Sequence, residues 1–128
     1  MKRVVTALVL MLCVGASPAW AQCRDGGSIR FQRGKTSATL RGKVSAARAV
    51  CYKFRARPGQ TLAVSLTSPG GRVRLNVIPD AFDVDDAVTS DTTSWEGKLN
   101  GDYGDDYIIT VHLPGKGSDA FTLKVAIK

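Results

Sequence analysis

The sequence predicts an all-β fold, a sandwich of about eight antiparallel strands. Most segments alternate between apolar and polar residues with a period of two, and no segment keeps a helical period. Turn-forming pairs separate these segments at short intervals, as at Pro58-Gly59, Pro69-Gly70 and Pro114-Gly115. The sequence contains no internal repeat, low-complexity tract or linker. A small barrel is the alternative architecture.

The N-terminal segment, residues 1–21, is predicted to be a secretory signal peptide. A basic start precedes the apolar run Val4–Val14, which is too short to span a membrane, and Ala19–Ala21 supplies the small residues of a cleavage site. A lipoprotein with Cys23 as its lipidated residue is the alternative, although the usual small residue beside that cysteine is missing. We expect a periplasmic protein without stable membrane insertion, whose single domain is 22–128.

Eight strands are expected within this domain. Weaker strands are predicted near Ser28–Gln32, Ser37–Gly42 and Thr93–Leu99. Five stronger strands place their apolar residues on one parity, which predicts a buried face for each. The predicted core residues are Val50, Tyr52, Phe54 and Ala56; Leu62, Val64 and Leu66; Val73, Leu75 and Val77; Tyr107, Ile109, Val111 and Leu113; and Phe121, Leu123, Val125 and Ile127. Pro58-Gly59 is expected to close a hairpin between the first two of these strands.

Two cysteines, Cys23 and Cys51, lie in the predicted mature chain. An even pair in an exported protein predicts a disulfide. Cys51 has the parity opposite to Tyr52, so its sulfur is expected outside the core, where it can hold the N-terminal segment. A nucleophilic or metal-binding cysteine is the alternative, but it would need histidine partners, and His112 is the only histidine.

The sequence does not indicate an enzyme. It has no Gly-x-Ser-x-Gly motif and no zinc-type cluster, and acids on polar loops are expected to be ionised and solvated. We predict no catalytic residue, no cofactor and no metal, and no nucleic acid partner, since no binding motif is present. Calcium held by Asp83, Asp85 and Asp86, or by the acids of 102–106, is a weaker alternative because the ordered EF-hand pattern is missing.

Charge is unevenly distributed along the predicted mature chain. The segment Asp80–Asp106 contains nine acids and one base, so its net charge is −8, whereas the rest of 22–128 carries +13 and the whole carries +5. Such an asymmetry can orient a charged partner, and a solvated loop is the alternative. Within this segment, Tyr103 lies among turn formers and acids, which predicts either an interface anchor or a cap on the end of the sandwich.

Four arginines have the outward parity of two predicted strands and could form one basic face toward anionic sugar polymers or lipid head groups. An ordinary solvated face is the alternative. The four are Arg55, Arg57, Arg72 and Arg74.

Three stretches, "IRFQRGKTSATLRGKV", "YKFRARPGQ" and the ending "FTLKVAIK", resemble the periplasmic inhibitors of goose-type lysozyme, which are small β-sandwich proteins. "YKFRARPGQTLAVSL" and "GDDYIITV" also resemble pre-peptidase C-terminal type domains. The first resemblance implies a non-catalytic inhibitor that blocks the cleft of goose-type lysozyme with a loop. The loop before Tyr52 contains no aromatic residue, and only Arg48 could serve there.

By this resemblance, the predicted contacts to the lysozyme are made by Arg48, Asp102, Tyr103 and Asp105. The alternative function is a non-catalytic envelope module that binds polysaccharide or another envelope protein.

Overall fold

The structure, a computed structural model, describes residues 23–31, 36–80, 87–99 and 104–128. These residues form nine strands in two sheets, which confirms the predicted all-β sandwich. The strands are β1 Arg24–Ser28, β2 Ser37–Ser45, β3 Val50–Arg55, β4 Thr61–Thr67, β5 Arg74–Pro79, β6 Thr89–Thr92, β7 Ser94–Lys98, β8 Asp106–His112 and β9 Ser118–Ile127. The predicted signal peptide lies outside the described residues. Across the described ranges, no helix is long and apolar enough to cross a membrane.

The chain passes repeatedly between the two sheets. The first sheet has the strand order β1-β3-β8-β5-β6, and the second has the order β2-β9-β4-β7. Every connection except that between β5 and β6 therefore joins strands of different sheets. All strand pairs are antiparallel except β1 with β3, which is parallel.

The predicted hairpin at Pro58-Gly59 is wrong. β3 pairs with β8 in the first sheet, whereas β4 pairs with β7 and β9 in the second, so the turn carries the chain across the sandwich. Gly59 adopts a φ of 87°, which favours glycine at this turn. The error has a simple cause, because two strands that face each other across a core alternate in the same way as two strands paired in one sheet.

The core lies between the two sheets. All the residues predicted to be buried in the five stronger strands are buried, and Val44 and Leu99 extend the same core. Phe54 stacks on Tyr107 within the first sheet, with ring centroids 5.3 Å apart. Tyr52 meets Phe121 of the second sheet edge-on at 6.4 Å. Such aromatic pairs contribute roughly 0.5–1.5 kcal/mol each beyond the burial of their area, so they help to fix one sheet on the other.

A disulfide joins Cys23 to Cys51, as predicted. Cys51 lies on the outer side of the first sheet, where its Sγ is 3.5 Å from Thr110 Oγ1. The bridge holds β1, the edge strand of the first sheet, against β3. A strand was predicted near Ser28–Gln32, but β1 runs over Arg24–Ser28, and residues 29–31 lie beyond its end. Its pairing is set by the disulfide and the sheet edge and not by an apolar face of its own.

The structure contains one strand more than the eight predicted. β7, Ser94–Lys98, confirms the strand predicted near Thr93–Leu99, and β6, Thr89–Thr92, is the additional strand, which was not predicted. The two lie in different sheets, and Leu66 N donates to Thr93 O across the bend at 2.7 Å. Trp95 is half-buried and packs against the core from this edge strand.

Candidate functional site

The loops of the sandwich collect at its two ends. One end holds the turn Arg57–Gln60 and the start of β8, and we call it the Asp105 end. The other holds the β2–β3 turn, residues 46–49, and the β8–β9 loop, residues 113–117; we call it the Arg48 end. Because β3 runs from one end to the other over six residues, the two ends are separated by about 20 Å.

Backbone hydrogen bonds fix the frame of the Asp105 end. Ala56 N donates to Asp105 O at 3.0 Å, and Gly59 N donates to Leu99 O at 2.7 Å. Gln60 closes the turn with its own side chain, since its Oε1 accepts from Arg57 N at 2.6 Å. The Asp105 side chain is exposed on this fixed frame. A partner would therefore meet a carboxylate whose backbone is already positioned.

An ion pair lies beside Asp105. Arg55 Nε donates to Asp106 Oδ1 at 2.8 Å, with side chains 82% and 53% exposed. The hydrogen bond and charge of Asp106, with a smaller contribution from Asp105, raise the pKa of Arg55 above its usual value. A pair this exposed contributes little to stability. Its consequence is electrostatic, because Arg55 offsets much of the charge of Asp106 and leaves Asp105 as the more available acid.

A groove of about 620 Å³ runs along β3 next to the Asp105 end. Both bases and acids line it, and the half-buried Phe31 is another of its lining residues. Its charged lining residues are Arg30, Lys53, Arg55, Asp80 and Asp106. This mixed charge suits a protein surface that carries both signs. Among the described residues, no group of three or more His, Cys, Asp or Glu could hold a metal ion.

The Arg48 end is basic. Arg48 is exposed in its turn, and its N–H donates to Ser45 O at 3.1 Å. Arg72 holds the neighbouring loop, since its Nη2 donates to Pro114 O at 2.8 Å and to Lys116 O at 2.9 Å. This end would attract an acidic partner surface, in contrast to the exposed carboxylate of the Asp105 end.

The structure separates the predicted contact residues that it describes. Asp105 lies at one end of the sandwich and Arg48 at the other, so one loop surface cannot present both. Asp102 and Tyr103 lie outside the described residues, as do Asp83, Asp85 and Asp86 of the calcium alternative.

The described acids of the segment Asp80–Asp106 do not form one surface. Asp80, Asp105 and Asp106 lie at the Asp105 end. Asp91 lies instead near the far end of β8, where its Oδ1 is 3.5 Å from His112 Nε2. Glu96 is on the outer surface of the second sheet. The sequence could not show this division, because it depends on which sheet each strand joins.

The basic face predicted for the four arginines is also absent. Arg55 and Arg57 lie at the Asp105 end, whereas Arg72 and Arg74 lie toward the Arg48 end. Both members of the second pair are already engaged by backbone carbonyls, since Arg74 Nη1 donates to Gly71 O at 2.8 Å. The alternation pattern correctly predicted that these side chains point away from the core, but the fold places the two pairs at opposite ends of the sandwich.

Solved structures with this architecture include periplasmic lysozyme inhibitors. No protein-family model matches the sequence, and no curated protein matches it. The solved structure of Aeromonas hydrophila PliG, a periplasmic lysozyme inhibitor of g-type lysozyme, matches with a TM-score of 0.71 at 21% identity, over 83% of this chain and 99% of that one. Salmonella Typhimurium PliG, an inhibitor of the same type, matches with a TM-score of 0.61 at 18% identity, over 79% of this chain and 96% of that one. This chain has the fold of the PliG inhibitors.

The same architecture extends to another class of protein. The pre-peptidase C-terminal domain of collagenase from Bacillus anthracis matches with a TM-score of 0.52 at 14% identity, over 83% of this chain and 94% of that domain. Both resemblances predicted from the sequence are therefore confirmed as likenesses of fold.

Proposed function

We propose that this protein is an exported, non-catalytic inhibitor of g-type (goose-type) lysozyme. The observation that carries the proposal is the match to Aeromonas hydrophila PliG, which extends over 99% of that inhibitor's chain. The stretches "IRFQRGKTSATLRGKV" and "FTLKVAIK" also support it, because they resemble the same class of inhibitor in sequence. The predicted signal peptide, residues 1–21, would place the protein in the periplasm.

The Asp105 end is the better candidate for the inhibitory surface. Its turn and the backbone of Asp105 are held by hydrogen bonds, so little conformational entropy would be lost on binding. Its exposed carboxylate suits a basic enzyme, and lysozymes are generally basic. Asp102 and Tyr103 precede Asp105 in sequence, and we propose that they add a second carboxylate and an aromatic anchor. Loops seated in the cleft would exclude the polysaccharide substrate.

Arg48 is the competing candidate. Its guanidinium could pair with carboxylates in the enzyme's cleft, as arginine does at many interfaces. Such a contact would use the opposite end of the sandwich, so the two candidates make different predictions for the same assay.

The test is the lysis of a peptidoglycan suspension by a g-type lysozyme in the presence of mature protein, with a chicken-type lysozyme as the control enzyme. We expect inhibition of the g-type enzyme alone. Asp105→Asn and Tyr103→Ala should each weaken inhibition by roughly ten-fold, the effect of losing about 1.4 kcal/mol at an interface. Arg48→Gln, the matched control at the other end, should leave it unchanged.

Each other result has a definite meaning. Loss of inhibition by Arg48→Gln, with Asp105→Asn intact, would move the inhibitory surface to the Arg48 end. A Tyr103→Ala variant that unfolds would show that Tyr103 is a core residue and not an anchor. No inhibition at micromolar protein would overturn the proposed function.

A further inference from the structure

The outer face of the second sheet carries four bases. Arg41 and Lys43 are exposed on β2, Lys124 on β9 and Lys98 on β7. They share this face because each has the outward parity of its strand, while Val44, Leu123 and other residues of the opposite parity fill the core. The bases are spread over three of the four strands, and so they cover most of the face.

Between these bases the face is built from small side chains. Lys124 lies opposite Thr39 of β2 on one side and Ser65 of β4 on the other. Lys43 lies opposite Ala120, and Lys98 lies opposite Thr61. Apart from these bases and Glu96, every outward-facing residue of the four strands is a serine, a threonine or an alanine. Apart from the bases and Glu96, the four strands therefore present no bulky outward side chain that would keep a ligand from the sheet.

None of the four bases has an acidic partner among the described residues, where the ion pairs within 4.0 Å are Arg55–Asp106 and His112–Asp91. Both pairs involve the first sheet. On the second sheet Glu96 is the one outward acid of the four strands, and it lies on the edge strand β7. The outer face is thus a positive surface with its charges available.

A shallow groove of about 610 Å³ crosses this face. Lys124 and Glu96 are its charged residues, and its other outward-facing lining residues are Ser37, Thr39, Ala63, Ser65, Ser94 and Ala126. A groove that crosses all four strands of the sheet suits a linear chain. The hydroxyls of its serines and threonines can hydrogen-bond to sugar hydroxyls, and lysine ammonium groups attract sulfate, phosphate or carboxylate without a fixed geometry.

We propose that the outer face of the second sheet binds an anionic polysaccharide. This surface is distinct from the Asp105 end, and the inference goes beyond lysozyme inhibition. The positive charge of the face favours an anionic ligand, and the groove across the strands favours a linear polysaccharide chain. The strands present no outward aromatic or large aliphatic side chain on this face, which disfavours insertion into a lipid surface.

The experiment titrates the mature protein with a fluorescently labelled heparin oligosaccharide, a sulfated polysaccharide, and with neutral dextran as the control. The test variant is R41Q/K124Q. The matched control is R24Q/K53Q, which removes the same charge from exposed bases of the first sheet. We expect R41Q/K124Q to weaken heparin binding by about ten-fold or more at low salt and to flatten its salt dependence, because fewer counterions are released. We expect R24Q/K53Q to bind like the wild type and neutral dextran not to bind.

Three outcomes would overturn the proposal. They are equal loss of binding in the two double variants, no binding of heparin by the wild type at low salt, and binding to anionic lipid vesicles but not to heparin. Melting temperatures of both variants check that the fold is intact. Lysozyme inhibition by R41Q/K124Q is measured in parallel. Because Asp105 and Arg48 are unchanged in it, loss of heparin binding with inhibition retained separates this surface from the inhibitory one.

Discussion

Gly26 allows the N-terminal strand to lie against the ring of Tyr52. A Cβ added at Gly26 would clash with Tyr52 Cε1, and the register of β1 on β3 shifts at this point. The next residue, Gly27, has a φ of 94°, a backbone angle that residues with a side chain rarely adopt. The two glycines together make the bulge that brings an exposed, polar strand onto the edge of the sheet.

We expect Gly26→Ala to lower the free energy of unfolding by about 1–3 kcal/mol, because either the Tyr52 ring or β1 must move. Urea denaturation followed by tyrosine and tryptophan fluorescence measures the change. Ser28→Ala, an exposed position in the same strand, is the control and should stay within about 0.5 kcal/mol of the wild type. Equal stability of Gly26→Ala and the wild type would mean that the strand does not rest on the ring.

Residues with a periodic pattern could be placed from the sequence, and residues without one could not. Leu62, Val64 and Leu66 reveal their buried face by parity alone, and all are buried in the structure. The role of Gly26 depends on a ring twenty-six positions away in the chain, and no local pattern records that approach. The same holds for Asp105, whose backbone is held by a hydrogen bond from Ala56, a residue almost fifty positions earlier in the chain.

At the scale of the elements, β1 depends on the disulfide more than on packing. All five of its residues are exposed, so it buries little apolar surface of its own. The Cys23–Cys51 bridge spans 28 positions and fixes the strand beside β3. A cross-link of this span is worth roughly 3–4 kcal/mol in the chain-entropy model.

We therefore expect Cys23→Ser/Cys51→Ser to lose a few kcal/mol of stability while the rest of the sandwich still folds. Hydrogen exchange should show β1 amides losing protection first, because their strand is no longer tethered. Thiol titration of denatured wild-type protein is the control and should find no free thiol in the mature chain. Two free thiols, or unchanged protection of β1 in the variant, would contradict this prediction.

The error over the hairpin shows what the alternation of apolar and polar residues can reveal about a strand. Alternation in β3 and β4 identified each strand and its buried face, and both are confirmed. It could not identify the pairing partner, because β3 pairs with a strand more than fifty residues later in the chain. Parity records which side of a strand meets the core, and it carries no information on which strand lies alongside.

For the whole molecule, the distribution of charge matters more than its sum. The predicted mature chain has a net charge of +5, so its overall field would repel a basic enzyme. The fold places the charges unevenly, with unpaired bases on the outer face of the second sheet and Asp105 at one end. At that end a basic partner would meet the exposed carboxylate of Asp105 beside Arg55 and Arg57, while a polyanion would be attracted to the sheet.

This arrangement makes a prediction for the rate at which the protein associates with a g-type lysozyme. Asp105→Asn should slow association several-fold at low salt, and the effect should fade near 0.15 M salt, where charges more than about 8 Å apart are screened. Adding Asp102→Asn should slow it further. Glu96→Gln changes the net charge equally but lies on the outer face of the second sheet, and it should leave the rate nearly unchanged. Stopped-flow fluorescence across a salt series measures all of these rates. Equal slowing by Asp105→Asn and Glu96→Gln would mean that only net charge acts, and an unchanged rate in Asp105→Asn would mean that Asp105 does not contribute to the association step.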